Sequence, residues 1–104
     1  MEIKKNLSGE ATKEQIAMWK AKHGTVFEVI IDDAVCYLHK PDRNVISAAA
    51  TLGQNDPMRF NEVLIENCWI SGDEKIKTDN DYFFALVEKA EELLRFKTAE
   101  IKKL

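Results

Sequence analysis

The chain has 104 residues, enough for one domain with one core and too few for two. Apolar residues make up 45% and charged residues 32%, with a net charge of −3, an ordinary balance for a globular protein. The fifteen Lys and Arg are scattered along the sequence, which argues against nucleic acid as a partner, because phosphate contact needs concentrated positive charge.

No apolar run approaches the roughly eighteen residues that span a bilayer. The polar start MEIKKNLSGE has no signal-peptide core, and residues 1–10 read as a loose lead-in to a single domain over residues 1–104. Two cysteines, Cys36 and Cys68, make no disulfide framework in a chain this apolar. The expected setting is a reducing cytoplasm.

TKEQ reads as a capping box, in which Thr12 accepts from the backbone at Gln15 and Gln15 reaches back. Ile16, Trp19 and His23 then fall on one face of a short helix, and Gly24 is placed to stop it. TVFEVII and AVCYLH are rich in β-branched and aromatic residues, with Asp32 and Asp33 between them. A two-residue turn there predicts a hairpin, although Asp-Asp suits such a turn less well than Asn-Gly. In that register Phe27 faces Leu38, Val29 faces Cys36 and Ile31 faces Ala34, so six apolar residues share the core face. The other face mixes Glu28, Tyr37 and His39 with Ile30 and Val35, a composition that predicts partial cover.

In KPDRNVISAAATLG, Asp42 is placed as a helix cap and Gly53 as a stop, and Ala48, Ala49 and Ala50 permit close approach by a neighbour. NDPMRFNEVLIENCWISG opens with Asp56 as cap and Pro57 at the first helical position. Its charged residues Arg59, Glu62 and Glu66 gather in a narrow arc, while Met58, Phe60, Val63, Leu64, Ile65, Cys68 and Trp69 fill most of the rest. That pattern predicts a central helix packed on several sides, in which Asn61 and Asn67 each need a hydrogen-bond partner. The same pattern makes NCWISG the last turn of this helix, with Trp69 as an anchor and Gly72 as the stop. DEKIKTDND then reads as a solvated connection ending in Thr78 or Asp79 as the next cap.

From Asp81 onward, Phe83, Leu86, Val87, Ala90, Leu94, Lys97, Ile101 and Leu104 recur at three- and four-residue steps. They predict one C-terminal helix on the order of 35 Å long. Phe84 and Phe96 lie off its main stripe, so they are either wrapped by the core or left for another chain. The fold class expected is α+β: an N-terminal helix, a β-hairpin, then three helices with a long C-terminal helix.

Candidate chemistry is sparse. Cys36, His39, His23 and Cys68 could supply zinc ligands, but Cys36 and His39 are three apart on a strand and point to opposite faces. Cys68 lies in an apolar helix, where burial makes a thiol inert, and His23 and His39 could each be imagined as a base, but nothing in the sequence places them together. DEKIKTDND lacks the alternating oxygen ligands and central Gly of a calcium loop, and the four glycines form no phosphate loop. The reading therefore assigns no catalytic residue, metal or cofactor. Lys40 and Arg43, flanking Pro41 and Asp42, are candidates to grip an acidic partner, against the plainer reading of a solvated turn.

WKAKHG leading into the hairpin VFEVIIDDAVCYLHKP, then PDR, DPMRFNEVLIENCWISG and TDNDYFF, resembles the small tail assembly chaperones of long-tailed phages and prophages. The likeness covers residues 15–95. It implies a non-enzymatic protein of the bacterial host cytoplasm that binds the tape measure protein, with the tail tube protein as a second partner, during tail assembly. Phe84 and Phe96 on an over-long helix suit such a partner, and equally suit a homodimer of paired C-terminal helices. Two rivals stand beside this reading. One is a small prophage regulatory protein that touches nucleic acid through Lys20, Lys22, Lys40 and Arg43; the other is a small enzyme with a polar pocket around His39 or Cys68.

Overall fold

A computed structural model describes residues 7–104. The order of elements is α1 (Lys13–His23), β1 (Val26–Ile31), β2 (Ala34–His39), α2 (Arg43–Leu52), α3 (Pro57–Cys68), β3 (Trp69–Gly72), α4 (Lys75–Thr78) and α5 (Asn80–Ala90), then a 3-10 turn at Glu91–Leu94. The fold is α+β, with a three-stranded antiparallel sheet in the order β1-β2-β3.

Local chemistry sets most of the boundaries. Thr12 and Gln15 form the reciprocal capping box that opens α1, and Gly24 ends it. Asp42 accepts from the Val45 amide at the head of α2, and Asp56 from the Arg59 amide at the head of α3, where Pro57 occupies the first turn. Asp79 accepts from the Asp81 amide to start α5. Asn61 and Asn67 satisfy their amides on the carbonyls of Pro57 and Val63, one turn back in α3.

The hairpin has the expected register, with Phe27 opposite Leu38, Val29 opposite Cys36 and Ile31 opposite Ala34. Ala34, Cys36 and Leu38 are buried against Leu64, Ile65, Cys68, Ile76, Leu86 and Leu93, and Phe27, Val29 and Ile31 pack on that cluster. Cover on the opposite face comes from α1. Trp19 lies 5.2 Å from the Tyr37 ring, and the Tyr37 hydroxyl accepts from the Ala11 amide. Val35 and Tyr37 are consequently buried, whereas Ile30 near the turn stays exposed. Ala49 is fully buried where α2 packs on α3, and a Cβ on Gly53 would sit 2.6 Å from Phe60.

Three expectations are corrected. WISG is a third strand, not the end of a helix: α3 stops at Cys68, and Trp69 enters β3 with extended backbone. Leu38 faces Trp69 and Cys36 faces Gly72, with an irregularity between Tyr37 and Leu38. Gly72 has φ +148°, and a Cβ there would lie 2.6 Å from Cys36 Cα. Close strand approach, more than helix termination, is what requires this glycine.

The connection DEKIKTDND is also partly ordered, because α4 tucks Ile76 fully into the core. Of the lead-in, residues 1–6 lie outside the described residues. Ser8 is pinned beside β2, its amide donating to Asp33 and its carbonyl accepting from Val35.

The C-terminal helix is much shorter than its periodicity suggests. It ends at Ala90, tightens into the 3-10 turn that buries Leu93, and runs on without helix or strand from Arg95 to Leu104. Residues beyond Leu94 have no core to cover them, and a short helix without tertiary packing is marginal whatever its propensity. Glu88, Glu91 and Glu92 also place like charges at three- and four-residue spacing just where the helix would continue.

Candidate partner-binding surfaces

Phe84 lies half-exposed on α5 at the mouth of an open groove of about 360 Å³ between α3 and α5. Ile65 and Phe83 form its apolar lining, Met58 and Phe84 stand exposed at its edge, and Glu62 and Glu66 supply carboxylates one helical turn apart. On the far side Lys77 lies 4.6 Å from the centre of the Trp69 ring and pairs with Glu74 at 3.1 Å and Glu66 at 3.9 Å. The periodicity of α3 and α5 exposes this surface because both helices turn their principal apolar faces to the sheet. Met58 and Phe84 are left over.

Phe96 is also half-exposed, but it belongs to a different place. Lys40, at the end of β2, donates to the Arg95 carbonyl at 2.7 Å and holds its ammonium 5.2 Å from the Phe96 ring centre. Lys40 therefore fastens the root of the C-terminal segment. Arg43 is exposed in the first turn of α2, and among the described residues it makes no ion pair or side-chain hydrogen bond. The four predicted contact residues thus divide into Phe84 on the groove, Lys40 with Phe96 at the tail root, and Arg43 apart.

Two clusters escape a reading of local sequence. His23 and His39 stack with ring centres 4.4 Å apart and planes within 5°. Burial, the neighbouring His39 and then Lys22 hold the His23 pKa below its usual value. A signal existed: His23 shares the stripe of Ile16 and Trp19, and His39 shares the sheet face of Tyr37.

The second cluster gathers at the hairpin turn. Asp33 accepts from the Tyr82 hydroxyl at 2.7 Å and from Lys75 Nζ at 3.1 Å, Lys75 also lies 3.8 Å from Asp73, and Ser8 donates to Asp73. The Tyr82 hydrogen bond and then Lys75 lower the Asp33 pKa, while the Ser8 hydrogen bond is the main cause of the lowered Asp73 pKa. Four separate segments meet there, so no local spacing announces it. Its hydrogen bonds join the turn, the lead-in and α5, which makes it a staple of the fold.

Neither thiol is poised for chemistry. Burial pushes Cys36 up to about 12, and burial followed by Asp42 pushes Cys68 up to about 11. Among the described residues no group of three or more His, Cys, Asp or Glu is arranged to hold a metal ion, and no helix is long and apolar enough to cross a membrane. No protein-family model, curated protein or solved structure matches this chain.

Proposed function

We propose that this chain is a non-enzymatic tail assembly chaperone of a phage or prophage, acting in the bacterial cytoplasm by binding the tape measure protein. The tail tube protein is its second candidate partner. The observation that carries the reading is the open α3–α5 groove, with Met58 and Phe84 exposed over an Ile65 and Phe83 lining. Such a groove accepts the apolar stripe of an amphipathic helix. Glu62 and Glu66, held only at 3.7 Å by Arg59 and 3.9 Å by Lys77, can exchange these exposed pairs for Lys or Arg flanking a partner's stripe. A long helical protein awaiting assembly presents stripes of that kind, and covering them keeps it from self-association.

Co-expression with the long helical protein encoded downstream tests this directly. Co-purification that survives Arg43→Ser and is lost in Phe84→Ser is the expected outcome. Failure of the folded wild-type protein to co-purify, together with salt-sensitive DNA binding, would replace this reading with the regulatory one.

A further inference from the structure

The edge of the sheet offers a site distinct from the α3–α5 groove. Among the described residues β1 pairs only with β2. In an antiparallel pair, opposed residues alternate between those bonded to each other and those whose amides and carbonyls point away. Val35 turns its amide to Ser8 and its carbonyl to Asp73, both away from β1. Its opposite number Ile30, and by alternation Glu28 and Val26, therefore direct their own backbone groups outward from the β1 edge. Beside that edge lies an open groove of about 270 Å³ between β1 and the 3-10 turn, with half-buried Phe27 and Val29 as its apolar lining over the buried Leu93, and with two carboxylates, Glu28 and Glu92, against one cation, Lys89.

The C-terminal segment has complementary properties. Residues 95–104 have no helix or strand, and Ile101 and Leu104 are fully exposed. The radius of gyration is 15.8 Å, against about 13 Å for a compact chain of this length. Arg95, Lys97, Lys102 and Lys103 outnumber Glu100 in this segment, and they oppose the carboxylates at the edge. Lys40 clamps the segment at Arg95 and Phe96. Between that clamp and Ile101 lies KTAE, with no Gly, Pro or Asn to reverse the chain onto its own edge.

We propose that residues 96–104 of one copy add as a strand to the β1 edge of a second copy. Extended, residues 97, 99, 101 and 103 share one face. Ala99 and Ile101 then cover the lining of Phe27 and Val29, while Lys103 reaches Glu92. On the other face Lys102 meets Glu28 and Leu104 meets Ile30. Reciprocal exchange closes a two-fold dimer, and one-way exchange gives open chains. This inference does not depend on the tape measure reading.

Sedimentation velocity over a concentration series tests it on the full chain as wild type, Ile101→Glu and Glu28→Pro. Ile101 is fully exposed, so its replacement leaves folding intact. Proline at Glu28 removes an outward donor and leaves the β1–β2 ladder in place. Wild type is expected to self-associate, and each variant to do so roughly tenfold more weakly or worse. A wild-type chain that stays monomeric at every concentration would overturn the proposal. Slow hydrogen exchange at Glu28 and Ile30 in that monomer would assign the edge to the chain's own tail. Self-association that neither variant weakens would overturn it equally.

Discussion

His23 and His39 stand ring on ring, 4.4 Å between centres, and join α1 to the sheet. The His39 Nδ1 lies 2.8 Å from the Lys40 carbonyl, so Nδ1–H donates there. Protonating His23 would set an imidazolium against the His39 ring, with Lys22 close by.

The first prediction is a stability loss in mild acid. The folded His23 pKa is below its unfolded value of 6.5, so folding releases a proton in that range. The contribution is fully present above pH 6.5, declines as pH falls below it, and is gone below the folded pKa. Thermal unfolding at pH 7.5, 6.5 and 5.5 is expected to show this decline, and His23→Phe to flatten it. Asp33 and Asp73, whose pKa values are lowered from 3.8, govern a separate, more acidic loss as pH falls through their folded pKa values.

Gly72→Ala is expected to destabilise the protein by about 2 kcal/mol or more, since the new methyl meets Cys36 and the backbone φ is +148°. Urea denaturation measures it. A change within about 0.5 kcal/mol, typical of an unconstrained surface site, would show that β3 does not pack on β2 at this distance.

Asp32→Gly should work in the opposite direction. Asp32 has φ +54°, the one positive value among described residues other than glycine. Glycine at that turn position removes the strain of a side chain in the left-handed region and raises stability by up to about 1 kcal/mol. A midpoint shift in urea checks the sign.

How legible the fold was depends on how local its causes are. Thr12 with Gln15, Asp42, and Asp56 with Pro57 act within one turn of chain, and each was readable as a cap. The Phe27–Leu38 register followed from a two-residue turn and a period of two. Trp69–Gly72 was not readable, because a strand that follows a helix with no intervening loop continues its apolar run. Its role is set by β2, distant in sequence. The C-terminal helix failed for the converse reason. Its periodicity was present to Leu104, but periodicity forms a helix only where a core waits to receive it, and the core ends at Leu93 and Leu94. Phe84 was legible as an off-stripe aromatic and Glu62 and Glu66 as a charged arc; Met58 and Ile65 beside them were not, since they belong to the arc assigned to the interior.

Phe84→Ser and Phe96→Ser are both expected to remain folded, with stability changes of about 1 kcal/mol or less, because each ring is already half in water. Their effects on binding should separate. Phe84→Ser removes the edge of the α3–α5 groove and abolishes capture of the helical partner, whereas Phe96→Ser, at the tail root, leaves that capture in place. Paired thermal melts and co-purification distinguish the two.

Hydrogen exchange on the co-purified complex tests the central claim most directly. Binding in the α3–α5 groove predicts new protection over residues 58–66 and 77–84, with α1 and α2 unchanged. Protection confined to α1 or α2, with residues 58–66 and 77–84 exchanging as in the free protein, would contradict it.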